Sequence, residues 1–337
     1  MFLLVFMHCK NTPEDFSSYR TTMLVNINTI IEDEYAQLET QVNALNQEIE
    51  AYGNTGDILH LSNARLNWIA FIKQWNKVRS FNVLDVKFNL LHTFIYSKPD
   101  APKIEQTIID HPNISITEVS NLGADQKGIN AVEYLLFKDN DLTITDNAFN
   151  LDANSASRLN FLKRSTAEVK MQVTSLKNSW KNDYSENFLS NNDLAVGKPI
   201  SEIFNQTIET ITVNLKDLSQ HISDNNYETF GYYSQSELLQ LKASAEGLHY
   251  LFNANEKESF SSYLVLESES EELSNKVENA FTSLITDEAF QFDSYQDINV
   301  ILKENLKIKL RDLSALLSID VSNKLMVLVT ISDTDGD

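Results

Sequence analysis

Apolar residues recur along the chain in steps of three and four. From Leu24 they run through Ile27, Ile31, Leu38, Val42, Leu45, Ile49 and Tyr52, with Glu, Gln and Asn between them. That spacing lays a single apolar stripe along one helical face. Gly53 and Gly56 close the stripe, as glycine commonly does at a helix end. Leu61, Ile69, Ile72 and Trp75 predict a second helix, and the stretch from Leu84 to Tyr96 a third, before the break at Pro99 and Pro102. A short helix follows from Lys103. Asp125 begins another that carries Ile129, Val132, Leu135 and Leu136. Residues 138–151 are polar and rich in Asp and Asn, and they predict a linker.

The second half repeats this grammar. Leu159, Leu162, Val169, Val173, Leu176 and Trp180 form one stripe. Pro199 opens the next helix, as proline often does at a first helical position, with Ile200, Phe204, Ile211, Leu215, Leu218 and Ile222 behind it. Leu238 to Phe252, Leu273 to Leu284 and Ile298 to Leu317 supply three more. Amphipathic helices with short connections bury their stripes by packing as antiparallel bundles. The fold expected is therefore all-α, two four-helix bundles in series over residues 19–138 and 152–320. Residues 321–337 form a tail, in which the apolar run Leu325 to Ile331 predicts a strand or a buried extended segment, and Ser332 to Asp337 a loose end.

Composition agrees with long helices. The 337 residues include only 8 glycines and 5 prolines, against usual frequencies of about 7% and 5%. Glycine-rich turns and nucleotide-binding loops are correspondingly disfavoured. The formal net charge of −21 argues against nucleic acid as a partner, since phosphate binding needs a basic surface. A single cysteine excludes an internal disulfide framework and any multi-cysteine metal site. That cysteine, Cys9, follows the apolar run Met1 to Met7 and His8. The run is too short to span a bilayer. With the polar stretch that follows, it resembles a bacterial lipoprotein signal and tether over residues 1–18, with Cys9 as the lipidated residue. His8 departs from the small residue usual before that cysteine. The expected location is the periplasm or cell envelope, with the outer or inner membrane reached through a lipid anchor.

Chemistry-bearing motifs are few. The zinc-protease H-E-x-x-H, the Walker loop, G-x-G-x-x-G and G-x-S-x-G are all absent. Among six histidines none pairs with another at helical spacing. A di-iron carboxylate bundle needs two E-x-x-H pairs, and only Glu246 and His249 make one. The segment GINAVEYLLF, residues 128–137, is more informative. Gly128 costs helix stability and marks a close backbone approach. Asn130 and Glu133 lie three apart on one face. A carboxylate in so apolar a helix is paired, protonated or ligand-facing unless it sits at the stripe's edge and reaches solvent.

This segment resembles the G-x-H-x-x-E signature of the imelysin family. Ala64, Arg65, Trp68 and Trp75 are similar to that family's Arg- and Trp-containing helix. Lys98 and Pro99 resemble its post-helix proline segment, Gly197–Lys198–Pro199–Ile200 its second-half turn, and the SDTDGD ending its envelope-anchored members. The resemblance implies a two-bundle helical envelope protein tied to iron-regulated uptake, with the signature lining a site between the bundles. Some members are classed as metallopeptidases. It marks Gly128, Asn130, Glu133 and Arg65 as ligand-binding residues and Glu133 as a metal ligand, with no catalytic residue; Glu246 and His249 are weaker metal candidates on their spacing alone. The motif histidine is Asn130 here. A neutral amide is a poorer ligand than imidazole for a first-row metal, which undercuts zinc-activated water. An Asn–Glu pair still binds a hard cation or hydrogen-bonds a polar ligand. Gly247–Leu248–His249 echoes Gly128–Ile129–Asn130 in the other half. The expected function is a binding protein for a metal ion, with iron or another divalent metal as candidate, or for a small polar ligand. A structural lipoprotein with a degenerate site is the alternative, and a metallopeptidase the third.

Overall fold

The computed structural model describes residues 16–254 and 257–330. Cys9, the apolar leader and the SDTDGD end lie outside the described residues. Among these residues every regular element is helical.

Two long helices open the chain, α1 (Ser17–Thr55) and α2 (Ile58–Val78). Gly56, left-handed at φ 66°, ends the first, and the Asp57 side chain accepts from the Leu59 N–H to begin the second. The expected α1 stripe from Leu24 to Tyr52 is buried throughout. Short helices follow: α3 (Leu84–Phe88), α4 (Leu91–Ile95), α5 (Ala101–Asp110), α6 (Ile116–Ser120), α7 (Ile129–Phe137) and α8 (Leu142–Asn150). The third helix expected over Leu84 to Tyr96 is thus two pieces. Leu90 takes a left-handed φ of 55° between them, and the Asn89 side chain donates to the Asp85 carbonyl, closing α3.

The linker expected over 138–151 is also corrected: most of it is α8. Its polar residues are end signals, with Asp141 accepting from the Thr143 and Ile144 N–H groups. Next comes α9 (Ser155–Ser179), which runs through a π-helical turn at Trp180–Tyr184 into α10 (Ser185–Leu189). Expected in the second bundle, α9 instead packs on α1, α7 and α8. Asn28 of α1 accepts from the Trp180 indole at 3.0 Å, fixing that register.

The remaining helices are α11 (Pro199–Ser223), α12 (Glu237–Asn253), α13 (Phe260–Ser268), α14 (Glu272–Ile285), α15 (Val300–Ala315) and α16 (Ser322–Leu325). α15 packs between α11 and α14, and α12 against α14. Residues 327–330 run extended along α11, where Asn205 donates to the Leu328 carbonyl and accepts from the Thr330 N–H. Among the described residues no helix is long and apolar enough to cross a membrane.

The two halves meet along α2 and α12. Gly247 makes that crossing close: a Cβ there would lie 2.5 Å from the Lys77 Cα and 2.6 Å from its carbonyl oxygen. Both are backbone atoms with nowhere to swing. The echo with Gly128 therefore has a packing cause on the α12 side. Gly247→Ala is expected to destabilise the chain by about 1–3 kcal/mol through overpacking, despite alanine's better helix propensity. Urea unfolding followed by circular dichroism reads this, and an unchanged or higher midpoint would contradict it.

Candidate functional site

α7 is held at both ends from α2. At its start Gly128 adopts φ 81°, and a Cβ there would sit 2.6 Å from the Ile95 carbonyl oxygen, so the position admits only glycine without rearrangement. The Trp68 indole donates to the Ile129 carbonyl at 3.0 Å. At the far end Arg65 donates to the carbonyls of Leu136 at 2.8 Å, Asp139 at 2.9 Å and Asn140 at 3.3 Å, and its guanidinium lies over the Phe137 ring. Arg65 thus caps α7 and does not touch Glu133.

Held this way, α7 is buried from Ile129 to Leu136, Asn130 and Glu133 included. Glu133 does not reach solvent at a stripe edge. Its Oε1 accepts from the Ser234 N–H at 2.9 Å and the Ser234 hydroxyl at 2.7 Å. Burial pushes its carboxyl up to about 7, and the Glu237 carboxylate adds to this against the opposing Ser234 bonds. Asn130 donates to the Ser97 carbonyl at 3.0 Å, while its Oδ1 is buried with no hydrogen-bond partner.

From Glu133 a chain of hydrogen bonds crosses between the halves. The Ser234 and Ser236 hydroxyls lie 2.7 Å apart, and Gln240 donates to Ser236 at 3.1 Å. Gln240 Oε1 accepts from the Tyr96 hydroxyl at 2.9 Å and from the Asn76 amide at 3.0 Å. Arg79 joins the amide oxygens of Asn76 and Asn214, each at 3.1 Å. Asn214 in turn donates to Ser244. The network closes around a cavity of about 20 Å³ lined by Arg79, Tyr96, Asp217, Glu237, Gln240 and Tyr295. Arg79, Tyr96 and Phe230 also line an open cleft of about 210 Å³ with His92 and Gln206. Tyr96 stacks on Phe230 with ring centres 4.5 Å apart, and Arg79 lies over its ring.

Glu237 and Asp217 sit in this seam beside the Arg79 guanidinium. Burial pushes Glu237 up to about 7. It pushes Asp217 up to about 6 against the opposing pull of Arg79 and Lys98. Glu237 Oε1 accepts from Thr229 at 3.2 Å, but Oε2 is buried with no partner. Neither acid stood out in the sequence. Glu237 reads as an ordinary acid in a helix's first turn, and Asp217 as part of the polar face of α11. Their only signal is spatial.

His249 lies elsewhere, with Nε2 2.8 Å from Glu278 of α14 and 2.9 Å from Asn253. Glu246 lines a separate cleft with Glu34, Lys77 and Tyr250. Among the described residues no group of three or more His, Cys, Asp or Glu side chains is placed to hold a metal ion. Zinc-activated water calls for about three protein ligands and an open position, and the donor set around Glu133 and Asn130 does not fit it.

The model of one protein family, described as imelysin, matches residues 31–293. Two solved structures share the fold over nearly their whole length. An imelysin-like protein from Psychrobacter arcticum 273-4 superposes with a TM-score of 0.78 at 13% identity, covering 94% of this chain and 98% of its own. A protein from Parabacteroides distasonis ATCC 8503, described as an iron-regulated protein A precursor, gives 0.75 at 14% identity, covering 93% and 97%. No curated protein matches.

The raised acids have a pH signature. An unfolded glutamate releases its proton near its ordinary 4.5, whereas Glu133 and Glu237 hold theirs to about 7. Between these values the native chain binds more protons than the unfolded one, so stability falls as pH rises from about 4.5 to 7 and levels off above. Glu133→Gln is expected to flatten part of this slope and to gain up to about 3 kcal/mol over wild type at pH 8. Denaturant midpoints of both proteins across that range measure it, and parallel curves would refute the assignment.

Proposed function

The chain belongs to the imelysin family, and from that premise we propose that it is a cell-envelope binding protein of an iron-responsive uptake system. Its ligand, a metal ion or small polar molecule, is taken up in the seam between the halves, with Glu133 at its centre. One observation carries this reading. Two buried acceptors near Glu133 have no hydrogen-bond partner: Asn130 Oδ1, one turn away on α7, and Oε2 of Glu237, whose carboxylate acts on Glu133. An unsatisfied buried acceptor costs about 1–3 kcal/mol, a cost relieved when a ligand brings a donor or a positive charge. The Parabacteroides protein's description as iron-regulated and the lipoprotein-like start ending at Cys9 support the setting. The imidazole-free donor set favours binding over peptide hydrolysis.

A scaffold with a decayed site is favoured by a different observation. Ser234 already gives Glu133 two hydrogen bonds, and Ser97 engages the Asn130 amide. Metal analysis and native mass spectrometry of the natively purified chain separate the readings. A near-stoichiometric metal or small molecule in wild type, lost in Glu133→Ala, is the expected result. Empty protein in both, with Glu133→Ala more stable, would establish the scaffold instead. Chelator-sensitive casein cleavage would restore the peptidase. In cell fractions, Cys9→Ala is expected to move the protein from membrane to soluble material.

A further inference from the structure

Away from the seam, where α12 packs on α14, three side chains converge. His249 and Asn253 lie one turn apart on α12, and Glu278 reaches them from α14. His249 Nε2 is 2.8 Å from Glu278 Oε2 and 2.9 Å from Asn253 Nδ2, and Asn253 Nδ2 is 2.6 Å from Glu278 Oε2. Protons cannot satisfy all three edges of this triangle. Although burial would raise it, hydrogen bonds from Asn253 and His249 hold the Glu278 carboxyl below its ordinary value, so Oε2 is an acceptor only. If Nε2 carries the imidazole proton, it donates to Glu278 but meets the Asn253 donor with no lone pair. If Nε2 is bare, it accepts from Asn253 but sets its lone pair against the carboxylate. Turning the amide over sets its oxygen against the carboxylate instead. Every assignment leaves one edge opposed.

We infer that this triangle is a binding site for one divalent first-row metal ion, with His249 Nε2, Glu278 Oε2 and the oxygen of the turned Asn253 amide as its ligands. Ligand atoms about 2.1 Å from an ion and at right angles to one another lie about 3 Å apart, close to the observed edges. A single cation gives all three lone pairs a partner at once. One imidazole nitrogen with two oxygens suits zinc or cobalt(II) rather than calcium or copper(I). The His249 and Glu278 side chains are 26% and 42% exposed, which leaves the ion an entry path and room for water ligands. The fully buried Phe281 backs the imidazole, with ring centres 5.3 Å apart. The acid beside His249 is thus Glu278 of another helix, whereas Glu246, its neighbour in the sequence, turns to the cleft with Lys77 and Tyr250. A bound ion pins α12 to α14 within the second half, independently of Glu133.

An ion on three part-exposed ligands exchanges during purification, so the test adds it back. The full chain is stripped with chelator, dialysed and titrated with Co²⁺, read by its visible absorption, with Zn²⁺ as competitor. Wild type is expected to bind saturably, Zn²⁺ to displace the Co²⁺, and the ion to raise the unfolding temperature. Loss of an outer partner of a metal ligand already costs about 10–100-fold in affinity, so His249→Gln and Glu278→Gln are each expected to weaken one ion per chain by roughly tenfold or more. Glu246→Gln should bind as wild type. Glu133→Ala should keep this ion, which counts it apart from any ligand of the seam. Absence of saturable binding in wild type would show that the triangle is a hydrogen-bonded cluster alone. Equal binding by wild type, His249→Gln and Glu278→Gln would place the ion elsewhere on the acidic surface, and its loss in Glu133→Ala would place it in the seam. Any of these results overturns the inference.

Discussion

Carrying a carboxylate into a helical core is the constraint on which the site depends. Glu133 lies on a helix buried on every side, so its desolvation must be offset locally. Ser234, from the segment before α12, supplies two donors to one oxygen. The α7 segment cannot slide away from them, because Gly128 and Trp68 fix its start and Arg65 its end. Residues that the family resemblance groups with the site therefore divide into two kinds. Glu133 reaches across the seam to Ser234 and Asn130 bonds the Ser97 carbonyl, while Gly128 and Arg65 hold the helix that carries them.

Much of the fold was legible because helical burial writes itself into a single chain as a period. The stripe from Leu24 to Tyr52 gave α1 its face, Pro199 marked the first turn of α11, and the extended tail along Asn205, with Val327 buried and Leu328 exposed, follows the apolar run from Leu325. Other features were illegible because they depend on partners distant in sequence. Asp141 and its neighbours looked like a linker because capping residues and loop residues share a composition. α9 was assigned to the wrong neighbours because its stripe says that it packs, not against what. The Glu133 motif was visible, but its company of Asp217 and Glu237 arises only when α11 and α12 close on α2.

Elsewhere the chain shows what a buried acid looks like when its role is structural. Glu168 is fully buried with the Lys127 ammonium 3.6 Å away. Although burial would raise it, Glu105 is held down to about 2 by Arg158, Tyr134 and Lys138. At Glu105 cations from other elements offset the cost; at Glu168 burial still raises the carboxyl and Oε2 has no hydrogen-bond partner. The seam treats its acids differently. Glu133 receives hydroxyl and amide donors but no cation, Glu237 keeps a bare oxygen, and the nearby guanidinium turns an Nη1 toward neutral amides. A chain with 48 acidic and 27 basic residues still finds cations for Glu105 and Glu168. At the junction of the two halves Arg79 and Lys98 act on Asp217 but leave Glu133 and Glu237 raised by burial, and a charged or hydrogen-bond-donating ligand is the simplest physical remedy.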